Sequence, residues 1–342
     1  MKYISLFSGI GGFEIAIHNI FKDAVCIAYS EIDKFASKVY EHHFPNHYNL
    51  GDVTKITEDQ IKELVIKNNG IDLLVGGFPC QNLSSLARNN HNCNSDGLDG
   101  PKSGLFWNMV NILKWILKYN PTKLNILIEN NASMTNDNKR LITEHLQSIV
   151  PYQIYMTKLN GADFGVQTRR RLYWTTFEVD TSDIICKQTW EDILEPIEKC
   201  YDLLFSDIHI QNTCNKIYQD DNKYAEIVIK NDNLSWKFME LNVKGRTKFQ
   251  KSYHSTMLKP KSTPIITVRN IHHCILDYRP YNNGCFLIRY FHAVELERLF
   301  WIEDGWVSNI CSKSRCAKLL GNTVVVHVIE YILTQLMRVI NI

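Results

Sequence analysis

The apolar stretch Ile71 to Val75 and the turn after it narrow the choice of fold more than any other part of the sequence. The stretch is short and rich in leucine and β-branched residues, and Gly76, Gly77 and Pro79 end it at once. Such a run is typical of a strand buried on both faces, as in parallel sheets covered by helices. The pattern predicts an α/β fold with Cys80 at the carboxyl edge of the sheet, where such proteins bind ligands.

Cys80 has two interpretations. A thiol held at a sheet edge by a proline-containing turn can attack an electrophile once it has lost its proton. A cysteine in an intracellular protein is, however, more often a small buried apolar residue. Motifs elsewhere in the chain are needed to distinguish these two interpretations of Cys80.

Cysteine usage indicates the compartment. The 10 cysteines are scattered, without a Cys-x-x-Cys pair. This argues against a zinc ribbon or a disulfide scaffold and indicates free thiols in a reducing compartment. The sequence shows no signal-peptide pattern and no uninterrupted apolar run long enough to span a bilayer. We therefore expect a soluble intracellular protein with no metal and no membrane partner, in a bacterial cytoplasm or in a eukaryotic or viral-host nucleus.

A glycine-rich turn follows another predicted strand. Lys2 to Phe7 leads into the glycine turn, Gly9 to Gly12, and then into residues with helical spacing. Such a turn lets the backbone approach a cofactor and points a helix N-terminus at it. Glu31 ends the next predicted strand, roughly twenty residues later, where an acid can hold ribose hydroxyls. The alternatives are a helix-capping acid for Glu31 and a turn-forming residue for Asp52, which follows a partly apolar stretch.

Further charged residues fall at strand ends. The predicted strand Leu124 to Ile128 ends at Glu129, whose carboxyl group could meet Cys80 at the same sheet edge and donate a proton there. The period of two along a strand puts Arg169 and Arg171 on one face, where they could act together. The alternative for Glu129 is a solvated acid in a loop. The alternative for the arginines is a solvated basic strand end.

The predicted domains are residues 1–177, 178–288 and 289–342, the last returning to the first as C-terminal helices. Residues 82–103 are rich in Asn, Ser and Gly and are predicted to form a mobile loop over the site. The net charge of the chain is only +2, but residues 205–290 carry 13 Lys and Arg against 7 Asp and Glu. Residues 241–274 contain no acid and interleave bases with aromatic side chains, a pattern typical of nucleic-acid surfaces.

Together these motifs resemble the DNA cytosine-5 methyltransferases, in the family's order and spacing. The signatures that carry the resemblance are Phe7-Ser-Gly-Ile-Gly-Gly12, Pro79-Cys80-Gln81, Glu129-Asn130, Gln167-x-Arg169-x-Arg171 and Gly321-Asn322-Thr-Val324. The stretches that look closest to the animal de novo subgroup are Met134 to Leu141, Arg171 to Trp174, Val294 to Phe300 and Cys316 to Gly321. There are departures as well: Asn131 replaces a usual valine, and Trp301-Ile-Glu replaces a common Gly-Phe-Pro.

The resemblance implies a Rossmann-like fold with a mostly parallel, doubly wound sheet and a smaller target-recognition domain. It implies S-adenosylmethionine (SAM) as methyl donor and double-stranded DNA as partner, with a flipped-out cytosine methylated at C5 through a covalent bond from Cys80 to C6. The implied catalytic residues are Cys80, Glu129, Arg169 and Arg171, with Arg171 toward the nucleophile and Arg169 toward the base. The implied cofactor-binding residues are Phe7, Ser8, Gly9, Ile10, Gly12, Glu31, Ile32, Asp52, Val53, Gly77, Pro79, Leu105, Asn322 and Val324. The implied substrate-binding residues are Ser84, Arg88, Gln167, Lys248, Arg269 and Asn270.

Three alternatives remain at this point. The same chemistry could act on tRNA, although the Cys-Phe-Thr motif of that branch is not evident near the arginines. A nicotinamide dehydrogenase would explain the glycine turn and Glu31, but it leaves Cys80 and Glu129 without a role. An inactive DNA-binding homologue would keep the fold and lose the reaction.

Overall fold

The structure is a computed structural model. It describes residues 1–79, 104–189, 191–196, 198–200, 257–258, 265–267, 274–281 and 285–340, and between 257 and 290 it describes the backbone alone.

A six-stranded, mostly parallel sheet forms the centre of the protein. Its strands are β1 Lys2–Leu6, β2 Val25–Ser30, β3 Leu73–Gly77, β4 Asn125–Asn131, β5 Tyr155–Asn160 and β7 Arg170–Thr175, and the short β6 Gln167–Thr168 lies outside it. The strand order is β2-β1-β3-β4-β7-β5. The first four strands run parallel, and β7 runs antiparallel to both of its neighbours. The predicted fold class is therefore confirmed.

Helices cover both faces of the sheet. They are α1 Gly12–Ile20, α2 Lys34–His43, α3 Glu58–Lys67, α4 Leu105–Tyr119, α5 Asn136–Ile149, α6 Gly161–Phe164, α7 Ala293–Leu299, α8 Lys313–Gly321 and α9 Val326–Ile340. Side chains alternate along β4, so Leu127 packs into one hydrophobic cluster while Ile126 and Ile128 pack into the other. Helices α1 and α9 contribute to the first cluster, and α3, α4 and α5 contribute to the second.

Local sequence signals set the helix starts. The Asp33 carboxylate accepts hydrogen bonds from the backbone N–H groups of Phe35 and Ala36 at the start of α2. Thr57 and Gln60 form a capping box at the start of α3. Such caps satisfy backbone donors that have no partner inside the helix.

The described part of the middle of the chain contains short antiparallel strands. Antiparallel strands lie at β8 Met257–Leu258, β9 Ile265–Thr267, β10 Cys274–Tyr281 and β11 Cys285–Tyr290. Strands β11, β10 and β9 form one small sheet, and β8 pairs with β6. Val179, Ile193 and Leu194 pack in the same hydrophobic cluster as α9. The domain boundary near residue 178 stays a prediction.

The C-terminal helices pack on the first sheet. Lys313–Ile340 taken as a whole has the length and hydropathy of a membrane-crossing helix, with 28 residues and a mean hydropathy of 1.5 over its best window. However, 56% of that window is buried, and the chain leaves the helical conformation between Gly321 and Val326. The buried residues Ile329 and Leu333 join the cluster that covers the sheet. A buried core helix passes the same composition test, so this segment is weak evidence for a membrane span.

Candidate active site

Four parallel strands bring their carboxyl ends to one edge of the sheet. Phe7 follows β1, Glu31 follows β2, Gly77 ends β3, and Glu129 lies near the end of β4. These residues are distant in sequence and meet because parallel strands share an edge. The edge is therefore the candidate active site.

Glu129 and Arg171 form an ion pair at this edge. Glu129 Oε1 lies 2.8 Å from Arg171 Nε, and each side chain is 13% exposed. Asn131 of β4 pairs with Arg171 of the antiparallel strand β7, so Glu129 is a diagonal neighbour of Arg171 on the same face. Arg171 Nη1 also donates to the carbonyl of Arg170 at 2.9 Å. The carboxylate is therefore held in a fixed orientation by a charge-assisted contact.

Gly77 makes room for this carboxylate. Gly77 and Glu129 are register partners on β3 and β4. A Cβ atom on Gly77 would lie 2.8 Å from Glu129 Oε2, closer than real Cβ atoms approach an oxygen. The sequence assigns Gly77 to cofactor binding, whereas its contact in the structure is with the candidate acid.

Gly77→Ala is expected to lower the rate of a reaction that uses the Glu129 carboxyl group about tenfold, with little loss of stability. The added methyl group displaces the end of the flexible Glu129 side chain, which is cheap for folding but moves a group that has to be placed within a fraction of an ångström. Initial reaction rates and urea denaturation of the same preparation measure the two effects. Equal rates in variant and parent would show that the position of the carboxylate is unimportant.

Asn130 fixes the chain that leads to Cys80. Its side chain is 1% exposed and donates from Nδ2 to the carbonyl of Phe78 at 2.8 Å. It lies on the face of β4 opposite to Glu129, because side chains alternate along a strand. Asn130 therefore ties β4 to the turn at Phe78 and Pro79, directly before Cys80.

The glycine turn has the backbone conformation of a cofactor loop. Phe7, Gly9 and Gly11 have φ angles of 56°, 58° and 91°. The left-handed region suits glycine, whereas at Phe7 it is an outlier of the kind that occurs at functional sites. No described atom lies within 4 Å of the place that a Cβ on Gly9 would take.

Glu31 holds the glycine turn from the neighbouring strand. Its Oε2 accepts from the backbone N–H of Gly9 at 2.8 Å, and its Oε1 accepts from Ile32 and Asp33. The N-cap of α2 is Asp33 rather than Glu31. Oε2 accepts this one hydrogen bond and has a second lone pair, so it can also accept from a ligand hydroxyl.

Asp52 lies beside the end of β2. The segment before it forms a single parallel bridge between Asn49 and Tyr29, and Ser30 Oγ donates to the carbonyl of Gly51 at 2.6 Å. Asp52 caps the short 3-10 helix Val53–Lys55, and its Oδ1 accepts from Thr54. These hydrogen bonds hold the pKa of the Asp52 carboxyl below its ordinary value.

Five other predicted cofactor residues lie among the described residues. Ser8 is buried and donates to Ser5, Ile10 is buried, and Ile32 is exposed. Val53 is buried, and Leu105 begins α4.

The closing segment, residues 321–325, approaches the glycine turn. A Cβ on Gly12 would lie 2.5 Å from Thr323 Oγ1 and 2.9 Å from Val324 Cγ2. Only glycine permits this approach, so the first and last signatures of the sequence meet in space. Asn322 is exposed and Val324 is buried.

Arg169 holds the closing segment. Arg169 Nη2 donates to the carbonyls of Thr323 at 2.6 Å and Gly321 at 3.2 Å, and the guanidinium lies over the Phe300 ring at 5.3 Å. Arg169 is 7% exposed. The structure thus brings Arg171 to Glu129, whereas these contacts take Arg169 to the C-terminal part of the chain. Gln167, two residues before Arg169, lies on β6, and its side chain is buried.

Several predicted residues cannot be placed. Those outside the described residues are Cys80, Ser84, Arg88, Lys248, Arg269 and Asn270. Pro79 is the last described residue before Cys80 and is half-buried.

A buried carboxyl group lies under the glycine turn. Glu14, in the first turn of α1, is 0% exposed, and its Oε1 accepts from the Tyr40 hydroxyl at 3.1 Å. The same hydroxyl lies 3.0 Å from His47 Nδ1. Burial raises the pKa of Glu14 to about 7, while hydrogen bonds from Ser5, its own backbone and Tyr40 oppose the rise. Sequence reasoning missed this acid because a lone Glu in an amphipathic helix is usually exposed.

Glu14→Gln is expected to remove a pH dependence of stability. Because the folded-state pKa of Glu14 lies above its ordinary 4.5, the folded protein keeps a proton that the unfolded chain releases between pH 4.5 and 7. This stabilisation is present below pH 4.5 and is lost as the pH rises to 7. From pH 5 to 8 the parent should lose ~2–3 kcal/mol of unfolding free energy that Glu14→Gln keeps.

Urea denaturation at both pH values measures this difference. The matched control is Glu63→Gln, which changes an exposed acid on α3. The interpretation of Glu14 would be wrong if the parent and Glu14→Gln lost the same free energy between the two pH values.

The sequence missed other residues that position the site. Trp306 Nε1 donates to the carbonyl of Ile10 in the glycine turn at 3.0 Å. No periodicity or motif signals this contact, since Trp306 is distant in sequence. The sequence does point to Asn130, because this residue belongs to the Glu129-Asn130 signature.

Among the residues that the structure describes, no group of three or more His, Cys, Asp and Glu side chains could hold a metal ion.

Comparison with known proteins identifies a family. The family model described as C-5 cytosine-specific DNA methylase matches residues 1–338. The orphan methyltransferase M.Rho11sI of Bacillus phage rho11s is 34% identical over 180 residues, which are 51% of this chain and 32% of that protein. The type II methyltransferase M.HhaI of Haemophilus parahaemolyticus is 29% identical over 181 residues, 53% of this chain and 50% of that protein. The matches thus span a third to a half of these relatives' length.

Solved structures share the fold. The methyltransferase EhMeth of Entamoeba histolytica has a TM-score of 0.62 and 16% identity, and the match covers 99% of this chain and 98% of that one. A DNMT2 mutant from Spodoptera frugiperda has a TM-score of 0.60 and 21% identity, covering 98% and 99%. At these identities the likeness concerns the fold alone. The sequence-based family resemblance is confirmed by the family model, while the likeness to the animal de novo subgroup stays a prediction.

Proposed function

Because the chain belongs to the C-5 cytosine-specific DNA methylase family, we propose that it transfers a methyl group from SAM to C5 of a cytosine in double-stranded DNA. The observation that carries the proposal is the Glu129–Arg171 ion pair at the sheet edge where the glycine turn also lies. A nicotinamide dehydrogenase would use the glycine turn and Glu31 but gives no role to this ion pair.

The residues of the glycine turn suit SAM. The space over Gly9 admits a close ligand, and Glu31 retains lone pairs for ribose hydroxyls. When bound, SAM supplies an electrophilic methyl group. We assign Phe7 to stacking on the adenine and Asp52 to accepting from its amino group. The proposed remainder of the pocket consists of Ser8, Ile10, Gly12, Ile32, Val53, Gly77, Pro79, Leu105, Asn322 and Val324.

Cys80 is the proposed nucleophile. C5 of cytosine is too weakly nucleophilic to take a methyl group unaided. A thiolate that adds to C6 makes C5 enamine-like, and this is the role of Cys80. Once C5 is methylated, a base removes its proton and Cys80 leaves C6 as a thiolate, with water as the proposed base.

Glu129 and Arg171 lower the cost of this addition. As electrons enter the ring, the Glu129 carboxyl group, which first takes up a proton from solvent, supplies that proton or a hydrogen bond at N3. Arg171 orients that carboxyl group through its Nε and is the guanidinium placed to stabilise charge at O2. In this proposal Arg169 has a positioning role, since it holds the carbonyls of Gly321 and Thr323.

The proposed DNA contacts come from the middle of the chain. The target base must leave the stack, and residues 82–103, including Ser84 and Arg88, are proposed to close around it. Lys248 belongs to the acid-free basic stretch and is assigned to backbone phosphates. Arg269, beside Asn270, is proposed to read a guanine next to the target cytosine, because arginine can pair bidentately with guanine.

Methyl transfer to two nucleic acids tests the proposal. Duplex plasmid DNA and unmodified tRNA are incubated with radiolabelled SAM, and label is expected at C5 of cytosine in the duplex. DNA carrying 5-fluorocytosine should give a complex that survives denaturation, because the fluorine prevents release of Cys80. Label on tRNA alone would assign the chemistry to RNA. Failure of both labelling and trapping would identify an inactive homologue.

A further inference from the structure

A cleft of about 320 Å³ lies between α1, the end of α2 and the loop after α7. Its volume is at the lower end of the range for small-ligand sites. It is lined by Ile15, His18, Asn19, Phe44, Trp301, Glu303 and Trp306. Trp306 also positions the glycine turn through the carbonyl of Ile10, whereas the other lining residues have no role in the proposed methyl transfer.

Aromatic rings with fixed orientations form the walls. The rings of Phe44 and Trp306 lie 5.8 Å apart at 58°, and those of His18 and Phe44 lie 6.0 Å apart at 23°. Trp306 is stacked on His43 at 3.5 Å and anchored through Nε1 to the carbonyl of Ile10. A ligand would therefore meet rings that are already ordered, which lowers the entropic cost of binding.

Trp301 is held in a strained conformation at the cleft. Its φ angle is 60°, in the left-handed region that glycine favours and bulky residues rarely adopt. Its ring stacks on His327 at 4.3 Å and 20°. Trp301 and Glu303 are also two of the three positions at which this chain departs from the common Gly-Phe-Pro pattern. A strained residue persists where surrounding structure or function requires it.

The charge of the lining is negative. Glu303 is exposed and is the one acid among the lining residues. Asn19 donates to Glu330 at 2.6 Å, which places a second carboxylate behind the wall. Burial, together with the positive charge of Lys22, lowers the pKa of His18, so this ring is uncharged at neutral pH. His43 and His327 lie behind the two tryptophan rings.

We propose that this cleft binds a methylated ammonium group, with its methyl groups against Trp301, Trp306 and Phe44 and its charge balanced by Glu303. Aromatic faces attract cations, and a methylated ammonium is more weakly hydrated than a bare one. The group can come from a free small molecule or from a methylated lysine side chain, since both present the same chemistry. This proposal does not rest on the proposed methyl transfer.

A pair of probes with the same shape tests the role of charge. Choline and its neutral isostere 3,3-dimethyl-1-butanol are titrated against the full chain, and binding is followed by saturation-transfer NMR of their methyl protons. Choline is expected to bind at least about fivefold more tightly, because only choline gains from the rings and the carboxylate. Equal affinities, or no binding of either probe, would overturn the proposal.

Variants locate the site. Glu303→Gln should weaken choline binding about fivefold and leave the isostere unaffected, while the control Glu63→Gln changes neither. Trp301→Gly should weaken choline binding about tenfold, and it puts glycine where the backbone favours it, so the variant is expected to fold. Unchanged choline affinity in Glu303→Gln would overturn the proposal even if Trp301→Gly did not fold.

Two further ligands identify the source. A short peptide with one trimethyllysine is compared with its unmethylated counterpart and with choline. Tighter binding of the methylated peptide than of choline would support the proposal with a protein as source, and the reverse order would support it with a small molecule as source. Equal binding of the two peptides, together with equal binding of choline and its isostere, would overturn it.

Discussion

Glu129→Gln is expected to reduce methyl transfer to duplex DNA by about a hundredfold or more. The amide is nearly the same size as the carboxyl group but cannot give up a proton to the ring, and general acid catalysis is worth roughly 10²–10⁴ in rate. The change also removes the charge that faces Arg171 Nε at 2.8 Å. The fall should appear in kcat, with the KM for DNA little changed, because the interaction develops during the reaction.

Single-turnover rates with labelled SAM measure this effect. Glu144→Gln is the matched control, since it alters a glutamate on α5 whose side chain is 66% exposed. A Glu129→Gln enzyme that retained a tenth or more of the parent's rate would remove Glu129 from the proposed mechanism.

Glu297→Ala should lower the free energy of unfolding by about 3–5 kcal/mol, the cost of breaking a buried charge-assisted network. Glu297 is 0% exposed, and its Oε1 accepts from the backbone N–H groups of Val307 and Ser308 at 2.7 and 2.8 Å. Its Oε2 accepts from the Gly305 N–H and the Ser308 hydroxyl. Alanine would leave these donors without their partner inside the protein.

Urea denaturation followed by circular dichroism gives the value for Glu297→Ala. Glu178→Ala, at an exposed acid, serves as the control and should change stability by less than about 0.5 kcal/mol. A loss below about 1 kcal/mol for Glu297→Ala would mean that water replaces the carboxylate.

The extent of β4 shows where sequence reasoning stops. The apolar residues predict a strand that ends at Ile128, but the strand continues through Glu129 and Asn130 to Asn131. Polar residues remain in the strand because β3 pairs with it as far as Glu129 and β7 as far as Asn131. The hydrophobic pattern reports burial and therefore does not register pairing that extends beyond the core.

The arginines show a second limit. Period-two spacing puts Arg169 and Arg171 on one face of a continuous strand, but Arg169 lies between β6 and β7, where the strand is interrupted. The alternation does not carry across the break, so the two guanidiniums contact different partners. The glycines allowed a better prediction: Gly9, Gly12 and Gly77 all lie at close approaches or in turns, although the partner of each depends on the tertiary fold.

The close approach between Gly12 and Thr323 joins a segment that is synthesised early to one that is synthesised late. Residues 321–325 pack against the glycine turn, and Arg169 holds them there. A nascent polypeptide still on the ribosome would therefore contain Glu129 long before it contained the segment that completes the proposed cofactor site. Two fragments split between α5 and β5 should each lack the proposed activity and should recover it on mixing, because Gly12 and residues 321–325 belong to different fragments.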